Sequence, residues 1–571
     1  MQQNRLRRAI TGLFCMMLII LAACSSPAPN STPTQSNKAA IAPPDKQILH
    51  LATEGGDFDS LDPALSTNPG DPTNIIFTGL VGLNDDGTVS DQLAASHQVS
   101  ADGLTYTFTL KPNLKFSDGT PLTAEDVAYS INRTVLPATK SPVISFLSLI
   151  KDVDKVHAGK QASLIGDSVL VKDPGTIVIL LSHPAAYFLE ALAYPTSSVV
   201  EKKLIERYGK QWTDHLDQGG GDGPFKVASY GHTSNLTLVP NPNFEGPKPR
   251  LQKIIYTIGS DRDSNYRAYL AGQYDLAPIP PSQYEGVAAK PGFQYAPALA
   301  FRYIGMNYLS RPFNNIKIRQ AFALAINKDL IINHIINKGV KAVIPSNHII
   351  MEGLPGYNAH LTGPAGVTST TGDQEKAKQF LQQGLQEEGY ASVAALPPIS
   401  LSYYISYKAG VDTVLAIADE WKQVLGISVK LVGMSIYQLM QAQTNTVGND
   451  RLQMWYWGGG ATYPDPQSFM TFFFGKGSAY NSFNYGQNGS SDASEQQAVQ
   501  DELARADTEQ DSTKRLKMYQ DAEQHIVNDV GMITTYQSAY LFSVNPRLHN
   551  WKLTPLGFLA TNDWSNIYFV Q

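Results

Sequence analysis

The chain has 571 residues, of which 43% are hydrophobic, 10% aromatic and 16% charged. It is too long for a single core and too apolar for a disordered chain. Lys and Arg total 44 against 50 Asp and Glu, a net charge of −6, which lacks the basic excess of a nucleic-acid binder. The only cysteines are Cys15 and Cys24, so the sequence beyond residue 24 offers no disulfide framework, thiolate metal site or cysteine nucleophile.

Arg5, Arg7 and Arg8 precede an almost wholly apolar run, residues 9–23. That run is shorter than the ~20 residues a spanning helix needs and fits a secretory signal. Leu21-Ala22-Ala23-Cys24, followed by Ser25-Ser26-Pro27, resembles the bacterial lipoprotein lipobox. The resemblance implies cleavage before Cys24 and lipid on its thiol. Cleavage removes three arginines and takes the charge from −6 to −9. Two or more acyl chains hold a protein stably at a membrane, so the expected location is extracytoplasmic and lipid-anchored, in a periplasm or on the outer cell face. Residues 24–45 read as the lipidated Cys and a Ser/Pro/Thr-rich tether that cannot bury a core.

Structure is expected from Gln47, with a strand at residues 48–52 and a Gly/Asp-rich turn at 55–57. Residues 73–83 read as a short helix. A hairpin turns at Ala101-Asp102-Gly103, and residues 104–110 alternate apolar and polar, the period of a half-buried strand. Thr123 and Asp126 have capping-box spacing for a helix running to about Val135. Residues 177–181 are strand-like and 185–192 helical. Strands follow at 226–230 and 236–240, a helix at 262–271, and a long helix at 316–336. Residues 399–432 read strand, helix, strand, with Gly426 ending the helix: a βαβ unit, which builds a parallel sheet. Residues 451–457 supply another strand of it, 495–528 a helical hairpin or long helix, and 541–571 strands and loops.

Catalytic signatures are missing. The eleven histidines form no H-E-x-x-H, and there is no phosphate-binding G-x-x-x-x-G-K-[ST] and no G-x-S-x-G nucleophile elbow. No enzyme activity, cofactor or metal is expected, and a secreted hydrolase would need a motif that is not visible. Asp57, Asp59 and Asp62 are the densest acids. A glycosidase would need two carboxyls ~5–9.5 Å apart; beside Gly55-Gly56 and Pro63 these acids read as Asx-turn chemistry.

The most unusual segment runs Met454-Trp455-Tyr456-Trp457-Gly458-Gly459-Gly460-Ala461-Thr462-Tyr463-Pro464-Asp465-Pro466. Aromatic residues lead a strand into three glycines, where another backbone can approach closely. Aromatic walls with few polar groups suit a ligand cleft. The same residues could equally be core followed by a loop.

The ordered set LDPALSTN (61–68), DQLAASHQVSADGLTYTFTLKPNLKFSDGTPLTAEDVAYSINR (91–133), GDGPFKVASY (221–230), YIGMN (303–307), RPFNNIKIRQAFALAINKDLI (311–331) and ATYPDPQSF (461–469) resembles the family 5 solute-binding proteins of ABC importers, the dipeptide/oligopeptide-binding class. The resemblance implies an α/β, two-lobed periplasmic-binding-protein-like fold (type II, large peptide-binding class) with a hinge and interlobe cleft. It implies lobe I at 46–300 plus 541–571, with a subdomain at about 91–220, and lobe II at 301–540. It further implies capture of a peptide as the lobes close, delivery to permease subunits with separate ATPase subunits, and a monomer with no nucleic-acid partner.

Peptide-binding relatives usually read Gly-Trp-x-Ala-Asp-Tyr-x-Asp/Glu-Pro where this chain has Gly458–Pro466, and the Asp holds the peptide ammonium. Here that position is Thr462 and the Trp position is Gly459. A buried ammonium without a carboxylate is costly. Either Asp465 or another acid replaces it, or the ligand is not a peptide: a sugar oligomer, an opine-like compound or a metal chelate. The expected ligand-binding residues are Asn68, Trp455, Trp457, Gly458, Gly459, Gly460, Thr462, Asp465 and Asn484, with the cleft along residues 457–462 facing the Ser66–Pro69 loop and the region of Asn484-Tyr485.

Overall fold

Three larger sheets, packed against separate apolar cores, organise the described residues. The computed structural model describes residues 40–68, 72–259, 261–337, 340–557 and 563–571. The signal segment, Cys24, the tether to residue 39 and Pro69 lie outside the described residues.

Strand β1 (Ile48–Ala52) turns Leu49 and Leu51 inward and the alternate residues, Ile48, His50 and Ala52, to the other side. Strands β2 (Ala94–Val99) and β3 (Thr105–Leu110) form the expected hairpin. Gly103 turns it with φ +69°, and Asp102 Oδ1 accepts the Leu104 N–H. With β4 (Val169–Asp173) and β5 (Thr176–Leu180) they make an antiparallel sheet ordered β2-β3-β5-β4. Helix α1 (Ala124–Val135) covers it. The Thr123 N–H and hydroxyl both donate to Asp126 Oδ2, at 2.9 and 3.1 Å, fixing the helix start where the sequence places it. Val127, Ile131 and Val135 share one face and pack with Phe108, Ile177 and Ile179.

A second sheet, ordered β1-β8-β7-β6, adds β6 (Phe225–Tyr230), β7 (Asn235–Pro240) and β8 (Lys253–Thr257). Its β1–β8 pair is parallel and the others antiparallel. Leu236, Leu238 and Ile254 join Leu49 and Leu51 there, around Trp212 and Trp564.

The third sheet has seven strands: β9 (Leu276–Pro278), β10 (Phe293–Met306), β11 (Val343–Pro345), β12 (Ser400–Tyr404), β13 (Lys430–Met434), β14 (Met454–Gly460) and β15 (Met532–Val544). The order is β9-β15-β10-β14-β12-β13, with β11 also on β15. Strands β12, β13 and β14 are parallel, as the βαβ reading requires, and β10 is antiparallel to β14 and β15. Helix α2 (Ile316–Leu324) and the crossover helix α3 (Lys408–Leu425) pack on one face with Ile304, Leu401, Trp421 and Tyr456. Gly426, at φ +71°, ends α3. Helices α4 (Ala493–Thr508) and α5 (Ser512–Asn528) form a hairpin and pack on the other face with Phe301, Tyr303, Trp455 and Phe474. The boundaries expected at 300 and 541 fall inside the two longest strands, β10 and β15. Their mutual register shifts between Pro297 and Phe301 and again between Arg302 and Tyr303.

Three local readings are corrected. The helix expected over 316–336 breaks after Leu324 because Asn327 turns the chain and its side chain caps a new helix, Lys328–Ile332, by accepting the Leu330 N–H. A wider five-residue turn, Asn333–Asn337, follows. Over 73–83 only Thr73–Ile76 is helical and Val81–Leu83 is a strand. Over 185–192 only Phe188–Leu192 is helical.

Candidate functional site

Strand β14 is held on both sides only along its first half. Its register with β12 covers Met454, Trp455 and Tyr456 and stops there. Its register with β10 continues to Gly460, opposite Ala300. Among the described residues no strand lies beside Trp457–Gly460 on the β12 side, so this stretch offers backbone N–H and C=O groups at an unpaired edge. The edge lies at the carboxyl ends of parallel strands, where α/β sheets place their ligands.

Side chains alternate along β14. Trp455 and Trp457 point to one face, Tyr456 and Gly458 to the other. Trp455 is 0% exposed; its ring lies 5.3 Å from that of Phe483 and covers Gly305, where a Cβ would overlap the indole. It is core, which corrects its expected place in a ligand wall. Trp457, two residues on, is only partly buried against the same core. A Cβ at Gly459 would press on Phe473 Cζ at 3.3 Å. A Cβ at Gly458 would overlap the Arg302 guanidinium, whose Cζ would lie 2.8 Å away.

Beyond the glycines the chain enters a cavity of about 340 Å³. Asn68, Gly460 and Thr462 all line it, so the structure brings these three expected residues together. Leu83, Tyr194, Leu299, Tyr540 and Leu556 make most of the remaining wall apolar. Tyr463 also lines the cavity and stacks on Tyr187, centroids 5.7 Å apart and planes at 10°.

Two other expected residues are structural, and both readings are corrected. Asp465 is 2% exposed, and its two oxygens accept one bond each, both 2.7 Å, from the Arg515 guanidinium. A carboxylate spent in that way does not receive a ligand ammonium. Asn484 is fully buried: it donates to the Asn307 side chain at 2.9 Å and to Thr446 O at 3.1 Å, and accepts the Gly448 N–H at 2.7 Å. It pins loops together. Tyr485 beside it is also buried, donating to Asp529 at 2.8 Å.

Beside the Asn68 end of the cavity lies a second one, of about 470 Å³, which shares Asn68 and Gly557 with the first. Glu54, Asp57 and Asp59 line it. Glu54 is engaged by Arg262, and Asp57 by Tyr230 and His232. Asp59 has no cationic partner among the described residues. Burial works to raise its carboxyl, but bonds from the Thr67 N–H and hydroxyl, the Ser60 N–H and the Ser66 hydroxyl outweigh that and hold it below the usual carboxylate range. The Asx-turn reading of this segment therefore captured its fold but not its charge. Sequence reasoning also passed over Arg302; its signal was a lone cation in the apolar run FRYIGM.

Comparison with known proteins follows the same lines. The family model described as bacterial extracellular solute-binding proteins, family 5 middle, matches residues 88–481. The chain is 26% identical over 543 residues to the oligopeptide-binding protein OppA of Bacillus subtilis (strain 168), covering 93% of this chain and 94% of that one. It is 27% identical over 488 residues to the probable deoxycholate-binding periplasmic protein YgiS of Escherichia coli (strain K12), covering 84% and 85%. In fold it is similar to the unliganded open form of the periplasmic murein tripeptide binding protein MppA, with a TM-score of 0.77 at 24% identity, covering 93% of this chain and 99% of that one. A family match over most of the chain, on a mixed α/β fold whose open strand edge faces a cavity, means that the chain belongs to the bacterial extracellular solute-binding proteins of family 5.

Proposed function

We propose that this chain captures peptides at the open edge of β14 and delivers them to the permease of an ABC importer, tethered to the membrane through lipid on Cys24. The observation that carries the reading is the unpaired backbone of Trp457–Gly460. An extended peptide can add there as a strand, its main chain supplying affinity without a demand on its side chains. The run of glycines leaves room for that approach, and the half-buried Trp457 supplies an apolar wall. The peptide ammonium, which Thr462 cannot hold, goes to Asp59 across Asn68. Closure occurs between a lobe I of residues 46–300 and 541–571 and a lobe II of 301–540, with the register breaks of β10 near Pro297–Tyr303 as the hinge. The names of similar proteins, oligopeptide-binding and murein tripeptide binding, support a peptide ligand.

A second reading, an amphiphilic non-peptide such as a bile-acid-like carboxylate, is favoured by the apolar lining of the 340 Å³ cavity and by the deoxycholate-binding name of one relative. A native mass spectrum of protein purified without denaturation separates the two. A spread of peptide masses is the expected result. A single non-peptide mass overturns the peptide reading.

A further inference from the structure

We infer that Arg302 is the anion anchor of this site and takes a carboxylate of the bound ligand; the inference rests on the peptide reading above. The residue sits on β10 directly opposite Gly458. Its side chain crosses β14 at that glycine, since a Cβ there would overlap the guanidinium, and it ends over the ring of Tyr407, with Cζ 4.8 Å from the centroid. Tyr407 is held in turn by a 3.0 Å bond between its hydroxyl and that of Tyr536. It lies just past the end of β12, on the side where β14 has no strand neighbour. The cation is thus carried across the strand to the open edge.

Three features make this placement more than packing. First, Arg302 is half-buried, yet among the described residues no carboxylate lies within 4 Å of it and its guanidinium donates no hydrogen bond. The other arginines drawn below the surface each hold a carboxylate: Arg133 with Asp62, Arg319 with Asp492, Arg515 with Asp465. A partly desolvated cation with five unused donors is an unmet demand for an anion. Second, the strand is broken there: opposite Arg302 and Tyr303, β15 carries an extra residue, Thr535, whose hydroxyl bonds Arg302 O at 2.9 Å. Such bulges re-aim the neighbouring side chain. Third, the guanidinium lies over Gly458, where any side chain would collide with it, so the first of the three glycines also gives the cation its path across the strand. The planar fork fits a carboxylate with two parallel bonds. On an extended peptide lying along residues 457–460, the group within reach is the terminal carboxylate or an acidic side chain.

The test uses the full-length protein, alanine oligomers of three to six residues, and their C-terminal amides, titrated calorimetrically. The wild type should bind the acids about 10- to 100-fold more tightly than the amides. In Arg302→Gln the acids should weaken by the same factor, the amides should not change, and the ratio should fall to near one. Arg302→Lys, which keeps charge but loses the fork, should retain part of the ratio and serves if the Gln variant does not fold. A wild type that binds acids and amides equally, or a variant that keeps the full ratio, overturns the anchor and leaves the peptide reading standing. An acid-containing oligomer, Ala-Glu-Ala amide, rescued to acid-like affinity in the wild type alone, would move the anchored group from the terminus to the side chain and still support it. Failure of every oligomer to bind the wild type overturns the peptide reading, and this inference with it.

Discussion

Arg515 grips Asp465 through two bonds of 2.7 Å, with both side chains almost wholly buried at the junction of α5 and the 461–466 loop. Burial disfavours the Arg515 cation, but the bonds to Asp465 more than reverse this and push its pKa further up. Asp465→Ala should therefore leave a buried guanidinium unpaired and cost about 3–5 kcal/mol in urea denaturation. Ligand affinity, measured on the fraction that remains folded, should stay within a few-fold of wild type. A loss of affinity with stability intact would return Asp465 to the binding site.

Around that pair lies an excess of acid. Burial, and then the Asp465 charge, push the Glu190 carboxyl up to about 7 from its ordinary 4.5, and Glu190 Oε2 is shielded with no hydrogen-bond partner among the described residues. Burial likewise pushes Asp507 up to about 6, against hydrogen bonds from Tyr519 and Thr471. The folded state then holds protons that the unfolded chain has lost. These two groups should make stability fall as pH rises from about 4.5 to 7, because at them the native state binds more protons across that window. Glu190→Gln, neutral throughout, should be more stable than wild type at pH 7.5 and should show a shallower fall, Asp507 retaining its share. Melting temperatures of both proteins from pH 4.5 to 8 decide it; a difference between wild type and variant that stays constant over this range would contradict the assignment.

The readable parts of this molecule were those set by local chemistry. The Thr123–Asp126 cap, the Gly103 turn and the alternation in 104–110 each fix their element within a few residues. Parallel β12 and β13 followed from strand–helix–strand order, since a parallel pair needs such a crossover. What the sequence could not show was which side of a strand faces a core. Trp455 and Trp457 look alike in the chain and share a face, yet β12 flanks only the first, so one is buried and the other stands at the edge. Asp465 and Asp59 likewise differ only through partners distant in sequence or supplied by a loop: Arg515 cancels one, while Ser66 and Thr67 preserve the charge of the other.

The two tryptophans give a paired prediction. Trp455→Ala removes a side chain packed among Tyr303, Phe473 and Phe483 and should cost about 3–5 kcal/mol of stability. Trp457→Ala should leave the melting temperature nearly unchanged and weaken ligand roughly 10-fold or more, as loss of a central aromatic contact does. Thermal denaturation and titration on the same two samples suffice. Unchanged affinity in Trp457→Ala would remove the ligand from this edge.

The acid across the cavity makes the last prediction. Four hydrogen bonds hold Asp59 ionised below the usual carboxylate range, against the pull of burial. It is therefore charged at pH 5, and ammonium binding should persist there and fade only as pH falls through its depressed pKa. Asp59→Asn keeps the size but not the charge, and should weaken peptides with a free amino terminus by about 10- to 100-fold. N-acetylated peptides should bind the variant and wild type alike. The contrast matters because the substitution also disturbs the 59–67 turn, and a turn defect would weaken both kinds of peptide equally. If acetylation makes no difference to the wild type, the ammonium lies elsewhere and Thr462 faces a ligand that has none.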